Sequence, residues 1–351
     1  MERVHVTENA PLAPLTTLRL GGPARRLVTA RTDAEVIAAV QAADAAGEPL
    51  LLIGGGSNLV IGDGGFDGTV LRIATTGFQL TGTALELAAG KVWSEAVART
   101  VEAGLAGIEF LAGIPGSAGA TPVQNVGAYG QEVSQSITEV VAYDRHERAT
   151  VTLPAADCAF GYRHSRFKAD PERYVVLRVR FALEAADGAS SPIRYPEVAK
   201  TLGVAAGERV PLRTAFETVL ALRAGKGMVL DPADHDTWSA GSFFTNPLLT
   251  PDQYQDFQRR LAERELTAPA WPAADGRTKT SAAWLIDRAG FGKGYGSGPA
   301  TLSTKHTLAL TNRGRASTED LLTLAREIRD GVHAAFGVQL VNEPVMVGVE
   351  L

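Results

Sequence analysis

The chain is poor in the residues that would announce several common chemistries. Among its 351 residues there is one cysteine, Cys158. A single cysteine excludes an internal disulfide framework and cannot build a zinc knuckle, and it suits a reducing cytoplasm. The six histidines show no metal-ligand spacing, and His-Glu-x-x-His is absent. No transition metal is expected. No apolar run reaches the length of a membrane span, and the start of the sequence lacks the charged-then-apolar pattern of a signal peptide. Basic runs are missing too. With 34 Lys and Arg against 39 Asp and Glu, the formal net charge is −5, which argues against nonspecific nucleic-acid binding. The expected protein is cytoplasmic, with neither membrane insertion nor nucleic acid as partner. Its length suggests two or three domains.

Glycine is what the chain has. Residues 113–130, GIPGSAGATPVQNVGAYG, hold five glycines and two prolines in eighteen residues with almost no charge. Neither a helix nor a strand tolerates that composition, and a surface loop would be more polar. Glycine lets backbone approach a ligand closely, and successive N–H groups can form an anion site without lysine. A second stretch, LLIGGGSNLV at 51–60, runs from strand-like residues into three glycines and back. Either loop alone reads as a tight turn, but the two together point to a cradle for the phosphates of a dinucleotide. Neither is a Walker loop, because Gly-Lys-Ser/Thr is absent. Neither matches G-x-G-x-x-G before a helix, which disfavours a Rossmann site.

Taken in order, residues 1–20 read as an extended arm. Thr16 to Pro23 reads as a short strand and turn, and Arg26–Val28 as a strand. Thr32-Asp33-Ala34-Glu35 is a capping box for a helix with Val36, Ile37 and Val40 inward, ended by Gly47. Strands follow at 50–53, 70–73 and 85–89, and Ser94 is placed to cap a helix stopped by Gly104. Residues 137–143, 149–153 and 174–183 read as strands, and 211–223 as a helix with proline in its first turn. Later helices are expected at 251–265, 281–289 and from Ser317 onward. A mobile glycine loop is expected at 291–298. Val345, Val347, Val349 and Leu351 alternate as a half-buried strand that returns to an earlier sheet. The composition changes near residues 75 and 227. It suggests a first subdomain (1–74, completed by the strand 338–351), a second (75–227) and a third domain (228–337).

Few side chains stand out as chemical groups. GYRHSRFK at 161–168 gathers cations around Arg163, which could clamp a carboxylate or steady a developing enolate, although a solvated turn explains it as well. Ser242, in GSFFTNP at 241–247, reads first as a structural hydroxyl in an apolar wall; it lies in no G-x-S-x-G elbow, so if it is catalytic, proton transfer suits it better than acyl transfer. Glu343, beside Pro344 at a strand entrance, reads equally as a solvated turn, but it is the only acid between Asp330 and Glu350 and is flanked by apolar residues. Tyr195 and Lys226 could contact a phosphate; each is equally an ordinary surface residue.

These pieces resemble a known family. GGGSNL (54–59), IPGSAGATPVQNVGAYG (114–130), GYRHSRFK (161–168), GSFFTNP (241–247) and Asn342-Glu343-Pro344 occur in the order found in the UDP-N-acetylenolpyruvoylglucosamine reductase (MurB) family, over nearly the whole chain. The tyrosine at 195 suggests the subclass with a mobile tyrosine loop. The resemblance implies an α+β protein: a vanillyl-alcohol-oxidase-type FAD-binding fold in two subdomains, with a C-terminal substrate-binding domain. It implies non-covalent FAD, NADPH as co-substrate, and a UDP-sugar enolpyruvyl ether reduced to the lactyl ether for peptidoglycan synthesis.

Carried over by position, it implies an FAD site from Ile53, Gly54, Gly55, Gly56, Ser57, Asn58, Leu59, Ile114, Pro115, Gly116, Gly119, Ala120, Thr121, Asn125, Gly127 and Arg223. Arg163 would be the active-site arginine, Ser242 the proton donor and Glu343 the catalytic glutamate. Tyr162, Tyr195, Lys226 and Asn246 would contact substrate. Two other readings remain. One is an oxygen-using FAD oxidase of the same fold, which leaves GSFFTNP, Arg163 and Glu343 unexplained together. The other is a non-catalytic nucleotide-binding module, for which Ser242→Ala would change no rate.

Overall fold

The computed structural model describes residues 5–273 and 275–351; residues 1–4 of the expected arm lie outside them. Contacts divide the chain into two units. One takes in residues through Ala10, Ala24–Gly55 and Asp67–Gly225; the other takes Pro11–Pro23, Gly56–Phe66 and Lys226–Leu351.

Two larger sheets dominate the first unit, beside two short strand pairs. A four-stranded sheet runs in the order His5–Pro11, Pro23–Ala30, Phe66–Ile73, Leu50–Ile53. Its last pair is parallel, with Leu51 opposite Val70. The helix Asp33–Ala46 joins Pro23–Ala30 to Leu50–Ile53, and Phe66–Ile73 lies between these two strands in the sheet. That helix forms where its caps dictate. Thr32 accepts from the Glu35 amide, Glu35 answers the Thr32 backbone, and Gly47 closes the end at φ +62°. A five-stranded antiparallel sheet follows, in the order Ala149–Pro154, Ile137–Asp144, Tyr174–Ala182, Ala84–Ala88, Phe78–Thr81. Val28, Val36, Val40, Leu71, Tyr143 and Leu177 form one buried cluster drawing on both sheets. A larger cluster gathers Trp93, Phe110, Phe181 and Val219 beneath the central glycine loop.

The second unit packs helices Pro251–Ala262, Ala282–Arg288 and Thr318–Phe336 with short strand pairs. Phe243, Phe244, Phe257, Leu285, Ile328 and Phe336 lie in its core. The C-terminal strand does return, pairing in parallel through Val345–Val347 with Leu59–Ile61.

Several expectations need correction. Thr16–Pro23 contains a turn where a strand was expected before Pro23. The Thr16 hydroxyl donates to the Leu20 carbonyl at 3.0 Å and Arg19 takes φ +55°, so local side-chain bonding wins over extension. Ser94 does not cap its helix, which begins at Trp93 after Val92. Trp93 is fully buried, and that anchor fixes the start. The final strand stops at Val347, because Gly348 turns the chain at φ +67°. Val345 is exposed, so the expected alternation does not hold along the whole segment. Within 291–298, Tyr295 Oη donates to Glu327 Oε1 at 2.6 Å, and the Leu302 amide donates to the Tyr295 carbonyl at 2.8 Å.

Candidate active site

The two glycine loops meet. A Cβ on Gly54 would stand 2.2 Å from Ser117 Oγ, and one on Gly55 would stand 2.6 Å from Gly116 Cα. At Gly55 the contact is with backbone, so glycine is required there for the two loops to lie against each other; at Gly54 it is with the Ser117 hydroxyl, which a side chain would have to turn aside. Gly116 takes φ +121° and its carbonyl accepts from the Trp93 amide at 3.1 Å. Gly119 is pinned by donation to the Ala89 carbonyl at 2.8 Å, and a Cβ there would be 2.4 Å from that of Ala89. Ile53 is buried at the end of its strand, and Ile114 is partly buried against the core. Ala120 is exposed, while the Thr121 hydroxyl turns inward to the Ala118 carbonyl at 2.7 Å.

Gly56, Ser57, Asn58 and Leu59 belong to the other unit, where they are held by different partners. The Gly56 carbonyl accepts from Thr17 at 3.1 Å, the Asn58 carbonyl from Val345 at 3.0 Å, and Leu59 pairs with Val345.

The far end of the central loop builds a second feature. Residues Gly161 and His164 close a tight hairpin with two backbone bonds of 3.1 and 3.2 Å, placing Tyr162 and Arg163 at its corner. Arg163 sits at φ +52°, in the left-handed region. Its Nη2 donates to the Gly127 carbonyl at 3.0 Å, and its own carbonyl accepts from Lys168 Nζ at 3.1 Å. Tyr162 is partly exposed beside it.

Tyr195 precedes the helix Pro196–Leu202, and its ring meets that of Tyr129 edge-on at 5.3 Å. Arg223, on the helix Leu212–Gly225, interacts electrostatically with the same Tyr129. Part of the Arg223 side chain is exposed, but Nε is sealed from solvent, and burial pushes the guanidinium down to about 10. Burial likewise raises the Tyr129 phenol, with Arg223 pulling the other way. Tyr129 was not among the expected site residues; its place in GAYG, at the end of the glycine loop, was the available clue.

In the second unit, Ser242 and Glu343 are brought together by backbone. The Glu343 amide donates to the Phe243 carbonyl at 2.8 Å, the Thr245 amide to the Val341 carbonyl at 3.0 Å, and Phe244 bridges Asn342. Phe243 and Phe244 are buried and pack edge-on at 5.1 Å, leaving Ser242 partly exposed between them and Gly241. Asn246 Oδ1 accepts from the Ala282 amide at 3.0 Å, which ties the end of the motif to a helix start. Lys226 is partly buried.

Comparison with known proteins bears on what this arrangement serves. Residues 231–347 match the family described as UDP-N-acetylenolpyruvoylglucosamine reductase, C-terminal domain, and 24–145 match the FAD binding domain family. The UDP-N-acetylenolpyruvoylglucosamine reductase of Streptomyces avermitilis is 74% identical over 353 residues, covering 99% of this chain and 97% of its own. The chain belongs to the UDP-N-acetylenolpyruvoylglucosamine reductase family. The Mycobacterium tuberculosis reductase is 51% identical over 360 residues, covering 99% of this chain and 96% of its own. Among solved structures, the MurB reductase of Thermus caldophilus aligns at a TM-score of 0.67 with 26% identity, over 98% of this chain and 99% of that one. A 6-hydroxy-D-nicotine oxidase from Arthrobacter nicotinovorans shares the fold at a TM-score of 0.55 and 15% identity, over 97% of this chain and 89% of its own. The fold is therefore the α+β FAD-binding architecture of vanillyl-alcohol-oxidase type, with the C-terminal domain of the reductase family. Within that family frame, Glu132 joins Tyr129 as a residue sequence reasoning passed over: it accepts from Asn125 Nδ2 at 2.9 Å.

Proposed function

We propose that this chain reduces the enolpyruvyl ether of UDP-N-acetylglucosamine to UDP-N-acetylmuramate, using FAD and NADPH, in peptidoglycan precursor synthesis. The observation that carries the reading is the 74% identity to a reductase of that name across 99% of the chain. The residues fit the cofactor. Gly55 lies against the Gly116 backbone and Gly54 against the Ser117 side chain, so two glycine segments approach closely, and the amide groups of such loops suit a pyrophosphate. Gly56, Ser57, Asn58 and Leu59 continue the first loop; Ile53, Ile114, Pro115, Gly119, Ala120, Thr121 and Gly127 frame it, while the Asn125 side chain is spent on Glu132, Gly161 and Ser134 rather than on FAD. Arg223 supplies an enclosed cation for phosphate. When bound, FAD supplies hydride transfer from NADPH to the enolpyruvyl β-carbon.

The chain's own residues handle charge and protons. As the β-carbon gains hydride, negative charge develops on the α-carbon and its carboxylate. Arg163 clamps that charge, and Glu343 hydrogen-bonds the enolic form. Ser242 gives its hydroxyl proton to the α-carbon, a step that needs a basic carbanionic partner because a serine hydroxyl is a weak acid. Tyr162, Tyr195, Lys226 and Asn246 hold the UDP-sugar, with Lys226 and Tyr195 on its diphosphate. The three regions expected from composition take matching roles: 1–74 with 338–351 and 75–227 hold FAD, and 228–337 binds substrate.

Among the described residues no helix is long and apolar enough to cross a membrane. The soluble nucleotide substrate supports a cytoplasmic enzyme without a nucleic-acid partner. An anaerobic titration followed by visible absorbance tests the reading. Yellow protein should bleach with NADPH and recolour with UDP-N-acetylglucosamine enolpyruvate. Recolouring only with oxygen would establish an oxidase, and colourless protein that FAD cannot reconstitute would remove the cofactor.

A further inference from the structure

The central glycine loop does a second job. Three alternate residues of it reach the Arg163 hairpin. The Val123 carbonyl accepts from Ser165 Oγ, Asn125 Nδ2 donates to the Gly161 carbonyl at 3.1 Å, and the Gly127 carbonyl accepts from Arg163 Nη2 at 3.0 Å. Ser165 is fully buried and Asn125 nearly so. Arg163 takes a left-handed backbone that an L side chain disfavours, and such a conformation persists only where its surroundings enforce it.

We propose that Asn125, braced by Glu132, is a positioning residue that aims Arg163. This rests on the reading in which Arg163 steadies charge on the substrate. The Asn125 amide is committed on every side. Nδ2 donates to Glu132 Oε2 at 2.9 Å and to the Gly161 carbonyl at 3.1 Å, while Oδ1 accepts from the Ser134 amide at 3.1 Å. Both donors are used, so only an amide satisfies the position. Its own φ of +47° selects Asn over most residues as well. Glu132 and Arg163 flank Gly127: a Cβ there would meet Glu132 Cγ at 2.8 Å and Arg163 Nη1 at 3.4 Å. The brace, the carbonyl that takes the guanidinium and the hairpin corner therefore form one packed group.

Asn125→Asp keeps size and backbone preference but turns both donated bonds into oxygen–oxygen repulsions, against Glu132 and against the Gly161 carbonyl. In the FAD-loaded enzyme, anaerobic rapid mixing should show reduction by NADPH within about 2-fold of wild type. Reoxidation by UDP-N-acetylglucosamine enolpyruvate should slow ~10- to 100-fold, the scale expected when a reacting group is misplaced by about 1 Å. Glu132→Gln keeps an acceptor for Asn125 and should stay within about 3-fold, a mild effect of the kind expected when one partner of a hydrogen bond is replaced conservatively. In an Arg163→Ala background, Asn125→Asp should add less than about 2-fold, since residues acting through one group are not additive. Amide exchange at His164 should quicken in Asn125→Asp, a readout independent of turnover. Asn125→Gly, which tolerates the same φ, serves if the aspartate variant fails to fold.

Equal slowing of both half-reactions, or full additivity with Arg163→Ala, would overturn the positioning role. Arg163→Ala that cripples reoxidation while Asn125→Asp does not would sink this inference and leave the function standing. Arg163→Ala with unchanged reoxidation would remove the role of Arg163 and this inference with it.

Discussion

Arg163 and Ser242 are held by opposite means. Arg163 stands on a two-residue corner in a disfavoured backbone conformation, tied down by side chains of buried polar residues. Ser242 stands beside two buried phenylalanines, and its partner segment is fixed by backbone bonds from Glu343 and Thr245. Polar networks set direction closely but depend on every member being present. The hydrophobic burial of such side chains is non-directional and contributes mainly to stability. Damage to the first should cost aim; damage to the second should cost the fold.

The sharpest way to break this contrast is Ser242→Ala. Substrate-driven reoxidation should fall ~10²- to 10⁴-fold, the usual worth of a positioned proton donor, while reduction by NADPH is spared. Equal loss in both half-reactions, measured by anaerobic rapid mixing, would sink the proton-donor role. Phe243→Ala follows. The side chain is 1% exposed, and its removal should destabilise by ~3–5 kcal/mol. A fall in Tm larger than that of Asn125→Asp sharpens the distinction between burial and aim; equal falls would erase it.

Glycine substitutions probe the loops. At Gly55 a Cβ meets backbone at 2.6 Å, so Gly55→Ala should weaken FAD binding ~10- to 100-fold by fluorescence titration, as strain of ~1–3 kcal/mol would require. Gly241 has open space around it and only its φ of +71° to protect, so Gly241→Ala should cost about 1 kcal/mol in thermal unfolding. The smallest effect concerns pH. The hydrogen bond from Arg173, at 2.8 Å, holds the Asp144 carboxyl below the ordinary carboxylate range. A depressed folded-state pKa adds stability above the unfolded value, and that stability is lost as pH falls through the folded one. Arg173→Gln should therefore lower stability slightly at neutral pH, and the difference from wild type should close as pH falls through the folded-state pKa of Asp144, as thermal unfolding across pH would show.

Much of this was legible because it is local. The capping box at Thr32–Glu35 and the helix after Ser317 are written in residues three apart, and both formed. The strand Ile137–Asp144 followed from β-branched density. The errors came where a longer-range anchor or a local hydroxyl outvoted pattern, as with Trp93 at a helix start and Thr16 in a turn. At the candidate site, motifs named Arg163, Ser242 and Glu343, but Glu132 and Tyr129 carried no spacing that set them apart.

By itself, the sequence determined the family, the cofactor class and the short segments that carry the chemistry, because glycine loops and caps act through neighbouring atoms. Only the tertiary structure decided that Gly54 and Gly55 are glycines for the sake of Ser117 and Gly116, and that residues 123, 125 and 127 all reach one hairpin. Those contacts join segments tens of residues apart. Their physical cause, the exclusion of a Cβ or the satisfaction of a buried amide, exists only once the chain has brought them together.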